Sequence, residues 1–122
     1  MSSGDGVHFE HVACLNVPDQ PNETTIQFLE DDRMVALVRR ESGDGVGWIG
    51  TSSQPYTEWD WKPTEYRLGG PNFIQTPDGR LWAGSRYYGN EHKTVLHRMT
   101  LEGLEPALVL PSGGDCSYPG MV

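Results

Sequence analysis

The sequence predicts an all-β fold of short antiparallel strands grouped in fours, and three observations carry that expectation. Alanine occurs only at Ala13, Ala36, Ala83 and Ala107, and no stretch of about 12 residues has an apolar i, i+3, i+4, i+7 pattern free of Gly or Pro, so long helices have no basis. Runs rich in Val, Ile, Leu, Trp, Tyr and Thr alternate with clusters of Asp, Gly, Pro and Ser, which is the mark of strands joined by tight turns. One such unit also recurs: an offset of 47 residues lays Ile26 on Phe73, Asp31 on Asp78, Arg33 on Arg80, Met34 on Leu81, Ala36 on Ala83 and Arg39 on Arg86 without a gap.

Taken in order, a partial strand is expected over 11–17, before Pro18-Asp19. Strands follow over 24–30 and 33–40, separated by Asp31-Asp32, and over 45–52, which ends in Ser52-Ser53-Gln54-Pro55. The next run, 64–68, stops at Gly69-Gly70-Pro71. Residues 72–76 and 80–87 flank Asp78-Gly79, a dipeptide suited to the φ > 0 positions of a tight hairpin. Strands over 93–100 and 105–110 complete the second unit, and a further partial strand is expected over 118–122.

Composition narrows the function classes. Seventeen acidic against nine basic groups give a net charge of −8, with Lys62 and Lys93 the only lysines and no basic run, which argues against nucleic acid or an anionic membrane surface as partner. No segment approaches the ~20 apolar residues of a membrane span, and the first residues lack a basic-then-apolar leader, so the chain as given is expected to be soluble and its compartment stays open. Cys14 and Cys116 belong to no CxxC pair and read as free thiols; His8 and His11 have no second pair to complete a ligand set, so no metal and no cofactor are expected.

A period of 40 to 50 residues with four strands per repeat is the sequence mark of a β-propeller blade; chance likeness between two hairpins of a sandwich is the alternative. The expected division is the end of a preceding blade over 1–21, one blade over 22–68, a second over 69–115, and the first strand of another over 116–122. Six blades of this length need about 280 residues, so the chain reads as a fragment or as a protomer that closes a ring by self-association.

The repeat also carries a family resemblance. NETTIQFLEDDRMVALVRR (22–40) resembles the Asn-Glu-led hairpin of sialidases and their BNR-repeat relatives, GGPNFIQTPDGRLWAGSRYY (69–88) resembles a blade bearing an arginine of the substrate clamp, and PSGGDCSYPGMV (111–122) resembles the start of the nucleophile blade. The resemblance implies a six-bladed sialidase-type propeller and a retaining exo-glycosidase that releases terminal sialic acid or a similar acidic sugar. It places the nucleophile on Tyr118, its activating carboxylate on Glu23, and two clamp arginines on Arg39 and Arg86. It also implies a secreted or periplasmic parent. The Asp-box of the family survives only as SSQPYTEW (52–59), keeping Ser52 and Trp59, and neither the first clamp arginine nor the acid/base aspartate has a counterpart here. Little turnover is therefore expected of this chain alone.

The residues support that chemistry independently. Arg39 and Arg86 share one repeat position, so both guanidiniums should reach the same end of the sheets, where two planar forks suit a carboxylate; pairing with local acids such as Glu41 is the structural alternative. Arg40 faces the other way on its strand and reads as structural. A tyrosine with a free pKa near 10 is a poor nucleophile unless a carboxylate within reach takes its proton, which is the role the Tyr118–Glu23 pair would fill; a buried strand tyrosine and a surface turn acid are the structural alternative. Tyr87 and Tyr88 follow Arg86 and offer faces for a sugar ring, and Asp115 sits in the loop leading to Tyr118. The alternative function is a non-catalytic BNR-type propeller module that binds carbohydrate or protein.

Overall fold

The computed structural model describes residues 1–122 and contains eight strands: β1 (Pro21–Phe28), β2 (Met34–Arg40), β3 (Val46–Ser52), β4 (Asp60–Arg67), β5 (Asn72–Gln75), β6 (Leu81–Tyr88), β7 (His92–Met99) and β8 (Leu104–Leu110). They form two four-stranded antiparallel meanders, β1-β2-β3-β4 and β5-β6-β7-β8, and no helix is present. Each of the eight full strands expected from sequence has its counterpart. The two partial strands do not.

Residues 11–17 form no ladder. At its end Val17 packs with Ala36 and Val38 against Trp48, Trp59 and Trp61. Residues 118–122 likewise make no strand, because Tyr118 adopts φ 55°, outside the extended region, and Pro119 has no N–H to donate.

The 47-residue repeat is reproduced bond for bond in the inner strands. Ile26 pairs Ala36 as Phe73 pairs Ala83, and Leu37 pairs Ile49 as Gly84 pairs Leu96. The hairpins match too: Leu29 N–H donates to Arg33 O at 2.8 Å and Thr76 N–H to Arg80 O at 2.8 Å, with Asp32 and Gly79 at the same left-handed position (φ 63° and 80°). Gly79 meets this requirement without steric cost, and Asp32 is one of the few residue types that tolerates it.

The sheets stack in the same sense. Val35, Leu37 and Ile49 of the first sheet pack against Phe73, Leu81, Ala83 and Met99 of the second. The repeat equivalents of Phe73, Leu81 and Ala83 are Ile26, Met34 and Ala36, which lie on the opposite face of the first sheet, so unlike faces meet. Like strands meet as well, β1 against β5 and β4 against β8. Phe73, Leu37, Ile49 and Leu68 are fully buried, and each contributes roughly 1.5–3 kcal/mol of transfer free energy.

Arg40, 2% exposed, anchors the other side of β2. Its guanidinium donates to Asp44 Oδ1 at 2.7 Å, Pro18 O at 3.1 Å and Val46 O at 3.0 Å, pairs with Asp19, and lies 4.8 Å from the centre of the Trp48 ring. This is the structural role its strand position implies.

Candidate active site

Glu23, Arg39, Arg86 and Tyr118 are gathered at one end of the two sheets by local features of the chain. At the start of β1 the pairing with β2 shifts register between Pro21 and Thr24, which leaves Glu23 outside the regular ladder. Asn22 fixes the local geometry: its Oδ1 accepts the Glu23 N–H at 2.7 Å and its Nδ2 donates to Glu41 Oε1 at 3.0 Å. The Gly69-Gly70 linker is clamped onto β6, since Gly69 N–H donates to Ser85 Oγ and Arg86 N–H to Gly69 O, both at 2.9 Å.

Glu23 accepts from three donors. Tyr118 donates its hydroxyl to Oε1, while Arg39 Nη1 at 2.5 Å and Gly70 N–H at 2.9 Å share Oε2. Burial pushes the Glu23 carboxyl up, but the bonds from Tyr118, Arg39 and Gly70 together outweigh it and hold the group below the usual range. The Tyr118 phenol moves the opposite way: its bond to Glu23 holds it above 10, helped by desolvation and the Glu23 charge and opposed by Arg39 and Arg86. At neutral pH the pair is thus a protonated phenol donating to an ionised carboxylate. Tyr118 is 66% exposed.

Close approach of the tail depends on Gly70. This residue has φ 52°, a Cβ added there would fall 2.6 Å from the Tyr118 nitrogen, and Gly70 O accepts the Tyr118 N–H at 3.1 Å. Below it, Asn72 Nδ2 donates to Pro119 O at 3.0 Å, much as Thr25 Oγ1 donates to Pro71 O at 2.7 Å one repeat earlier.

Both arginines are engaged within the chain. Arg39 Nη2 pairs with Glu41, whose other oxygen lies 3.6 Å from Arg67. Burial pushes the Arg39 guanidinium down, but the Glu23 bond and the surrounding negative groups outweigh it and hold it above its ordinary value. Arg86 Nη2 pairs with Asp115 and donates to Ser117 Oγ, and Ser117 in turn donates to Asp115 Oδ1 at 3.0 Å. The Tyr88 ring lies 4.8 Å from Arg67 Cζ and 5.7 Å from Arg86 Cζ. Three buried polar atoms here lack partners: Arg39 Nε, Arg86 Nε and the Tyr88 hydroxyl. Such atoms are unusual in a folded interior.

The structure therefore brings together all four residues singled out from sequence. The Glu41 pairing offered as the alternative for Arg39 is also present. Tyr88 faces arginines rather than open space, and Tyr87 is exposed. Sequence reasoning missed Asn22, Arg67, Gly70 and Ser117. Gly70 had a readable signal, because it stands one repeat after Glu23 in a Gly-Gly-Pro turn. The others act through side-chain contacts between distant segments and leave no pattern.

Elsewhere the chemistry is sparse. His8 Nδ1 pairs with Asp5 at 2.6 Å, His11 Nε2 lies 3.4 Å from Cys14 Sγ, both cysteines are free, and no group of three His, Cys, Asp or Glu side chains is placed to hold a metal ion. A groove of about 610 Å³ lies at the opposite end of the sheets, but its arginines, Arg33, Arg80 and Arg98, each face a neighbouring acid. A smaller cavity of about 220 Å³ adjoins the candidate site, lined by Tyr66, Arg67, Arg86, Tyr88, Val95 and His97 among others. No family model, curated protein or solved structure matches this chain.

Proposed function

We propose that this chain carries two adjacent blades of a sialidase-type propeller and, on them, part of the active centre of a retaining exo-glycosidase acting on terminal sialic acid or a similar acidic sugar. Support for the blades comes from the shared strand register of the two sheets and from the meeting of like strands through unlike faces. The observation that carries the activity is the contact chain Tyr118–Glu23–Arg39, which unites a nucleophile, its base and a carboxylate-binding cation.

In this reading the sugar carboxylate is held by Arg39 and Arg86 through charge-assisted bonds. Tyr118 Oη attacks the anomeric carbon, its proton passes to Glu23, and the glycosidic bond breaks with its electron pair going to the departing oxygen. A neutral phenol meets less repulsion beside the sugar carboxylate than an anionic nucleophile would. Glu23 is a weak base while Arg39 holds it. As the ligand carboxylate draws Arg39 toward itself, Glu23 becomes a better proton acceptor, so substrate binding and base activation are coupled. No residue is assigned to protonate the leaving group, and turnover of unactivated sialosides by this chain is expected to be slow.

A second reading, a non-catalytic propeller module that binds carbohydrate or protein, is favoured by the internal engagement of both arginines. The carboxylate site is tested by titration of the chain with N-acetylneuraminic acid and with its methyl ester. The acid should bind at least ten-fold more tightly than the ester, and Arg39→Ala should abolish the difference. Equal binding of acid and ester, or full retention in Arg39→Ala, would contradict a carboxylate site.

A further inference from the structure

The candidate site is already electrically balanced. Arg39, Arg67 and Arg86 face Glu23, Glu41 and Asp115, three cations against three carboxylates. An incoming sugar carboxylate makes a fourth negative charge, which is costly unless one internal carboxylate gives way.

The three acids differ sharply in how firmly they are held. Glu23 is one-quarter exposed and bonded to Tyr118, Arg39 and the Gly70 N–H. Glu41 is 30% exposed and held by Arg39, Arg67 and Asn22. The Asp115 side chain is 79% exposed and is bonded to Arg86 and Ser117. It follows Gly113-Gly114, two glycines in open space, and although the neighbouring Cys116 is buried and bonded to His92 O and Gly114 O, the exposed Asp115 side chain can rotate away from Arg86 without moving that backbone.

Resting on the carboxylate site proposed above, we infer that Asp115 is a built-in competitor of the substrate: it occupies Arg86 in the free protein and is displaced by the carboxylate of the acidic sugar. The exchange replaces one carboxylate by another and preserves the local charge balance. Released Asp115 becomes solvated at little cost, because its carboxylate already lies largely in water. Asp115 is thus an affinity-setting residue, and it favours ligands whose anion grips Arg39 and Arg86 together over simple anions that meet Arg86 alone.

The test is titration of the 122-residue chain and of Asp115→Asn with N-acetylneuraminic acid, followed by NMR. Asp115→Glu, which keeps the charge, is the control, and Asp115→Ser is a second variant should the asparagine protein fold poorly. Removing the charge should tighten binding about five-fold, the equivalent of a surface ion pair, while Asp115→Glu stays within about two-fold of the parent. Binding by Asp115→Asn alone would also support the inference. If the parent binds and both uncharged variants bind equally or more weakly, Asp115 is not a competitor, and the carboxylate site stands without it. If neither the parent nor the uncharged variants bind, the site and the inference fall together.

Discussion

Tyr118 donates its hydroxyl to Glu23 across 95 residues of sequence, joining the tail to the start of β1. The two shifts are opposite in sense, the phenol held above its ordinary value and the carboxyl below, so both stabilise the proton on Tyr118.

Glu23→Gln should lower the Tyr118 pKa. The Glu23 bond and charge, with desolvation, hold the phenol above 10, while Arg39 and Arg86 pull it down, and in the variant desolvation alone opposes that downward pull. Phenolate absorbance against pH, with Tyr118→Phe subtracted, checks this. An unchanged midpoint would show that the two side chains do not interact in solution.

Gly70→Ala should disturb the site more than the fold. A left-handed alanine costs about 1–2 kcal/mol, and the added Cβ would fall 2.6 Å from the Tyr118 nitrogen and 2.7 Å from Ser117 Cβ. Urea unfolding should show a loss of about 2 kcal/mol, and the Tyr118 phenolate midpoint should move toward 10 as the tail swings away from Glu23.

Arg40→Met and Arg39→Met, adjacent substitutions, should differ in their effect on stability. Arg40 is buried among Asp19, Asp44 and two backbone carbonyls, and its loss should cost about 3 kcal/mol in urea unfolding. Arg39→Met should cost about 1 kcal/mol and abolish sugar-acid binding. A reversal of the two would invert their assigned roles.

His97 should impose a pH dependence on folding. It is buried against Tyr66, and burial, outweighing a bond to the Ala83 backbone, pushes it below its ordinary 6.5. The unfolded chain therefore binds a proton before the folded one, so stability falls as pH drops below about 6.5 toward the folded pKa. The difference in unfolding free energy between the parent and His97→Phe, followed from pH 7.5 to 5.5, should change in that direction. A difference independent of pH would show that His97 titrates normally.

Much of this architecture was legible in the sequence because strands and turns are local. Asp31-Asp32 and Asp78-Gly79 mark their hairpins directly, and the 47-residue offset placed Arg39 and Arg86 at one end before any coordinates. Residues 11–17 and 118–122 misled because apolar residues also occur in segments that pack without pairing: Val17 packs on Ala36 and Val38 without a ladder, and Tyr118 leaves the extended region altogether. The pairing of Arg86 with Asp115 and Ser117 was invisible, since it depends on how the glycine-rich loop folds back rather than on any spacing.

Covalent trapping of Tyr118 decides between catalysis and simple binding. A 3-fluorosialosyl fluoride carries its own leaving group, needs no acid catalyst, and gives a glycosyl–tyrosine bond that breaks down slowly. Incubated with the chain, it should add one sugar to the peptide containing Tyr118, with no adduct in Tyr118→Phe and labelling at least 100-fold slower in Glu23→Gln. Absence of the adduct, or an adduct that persists in Tyr118→Phe, would contradict a tyrosine nucleophile.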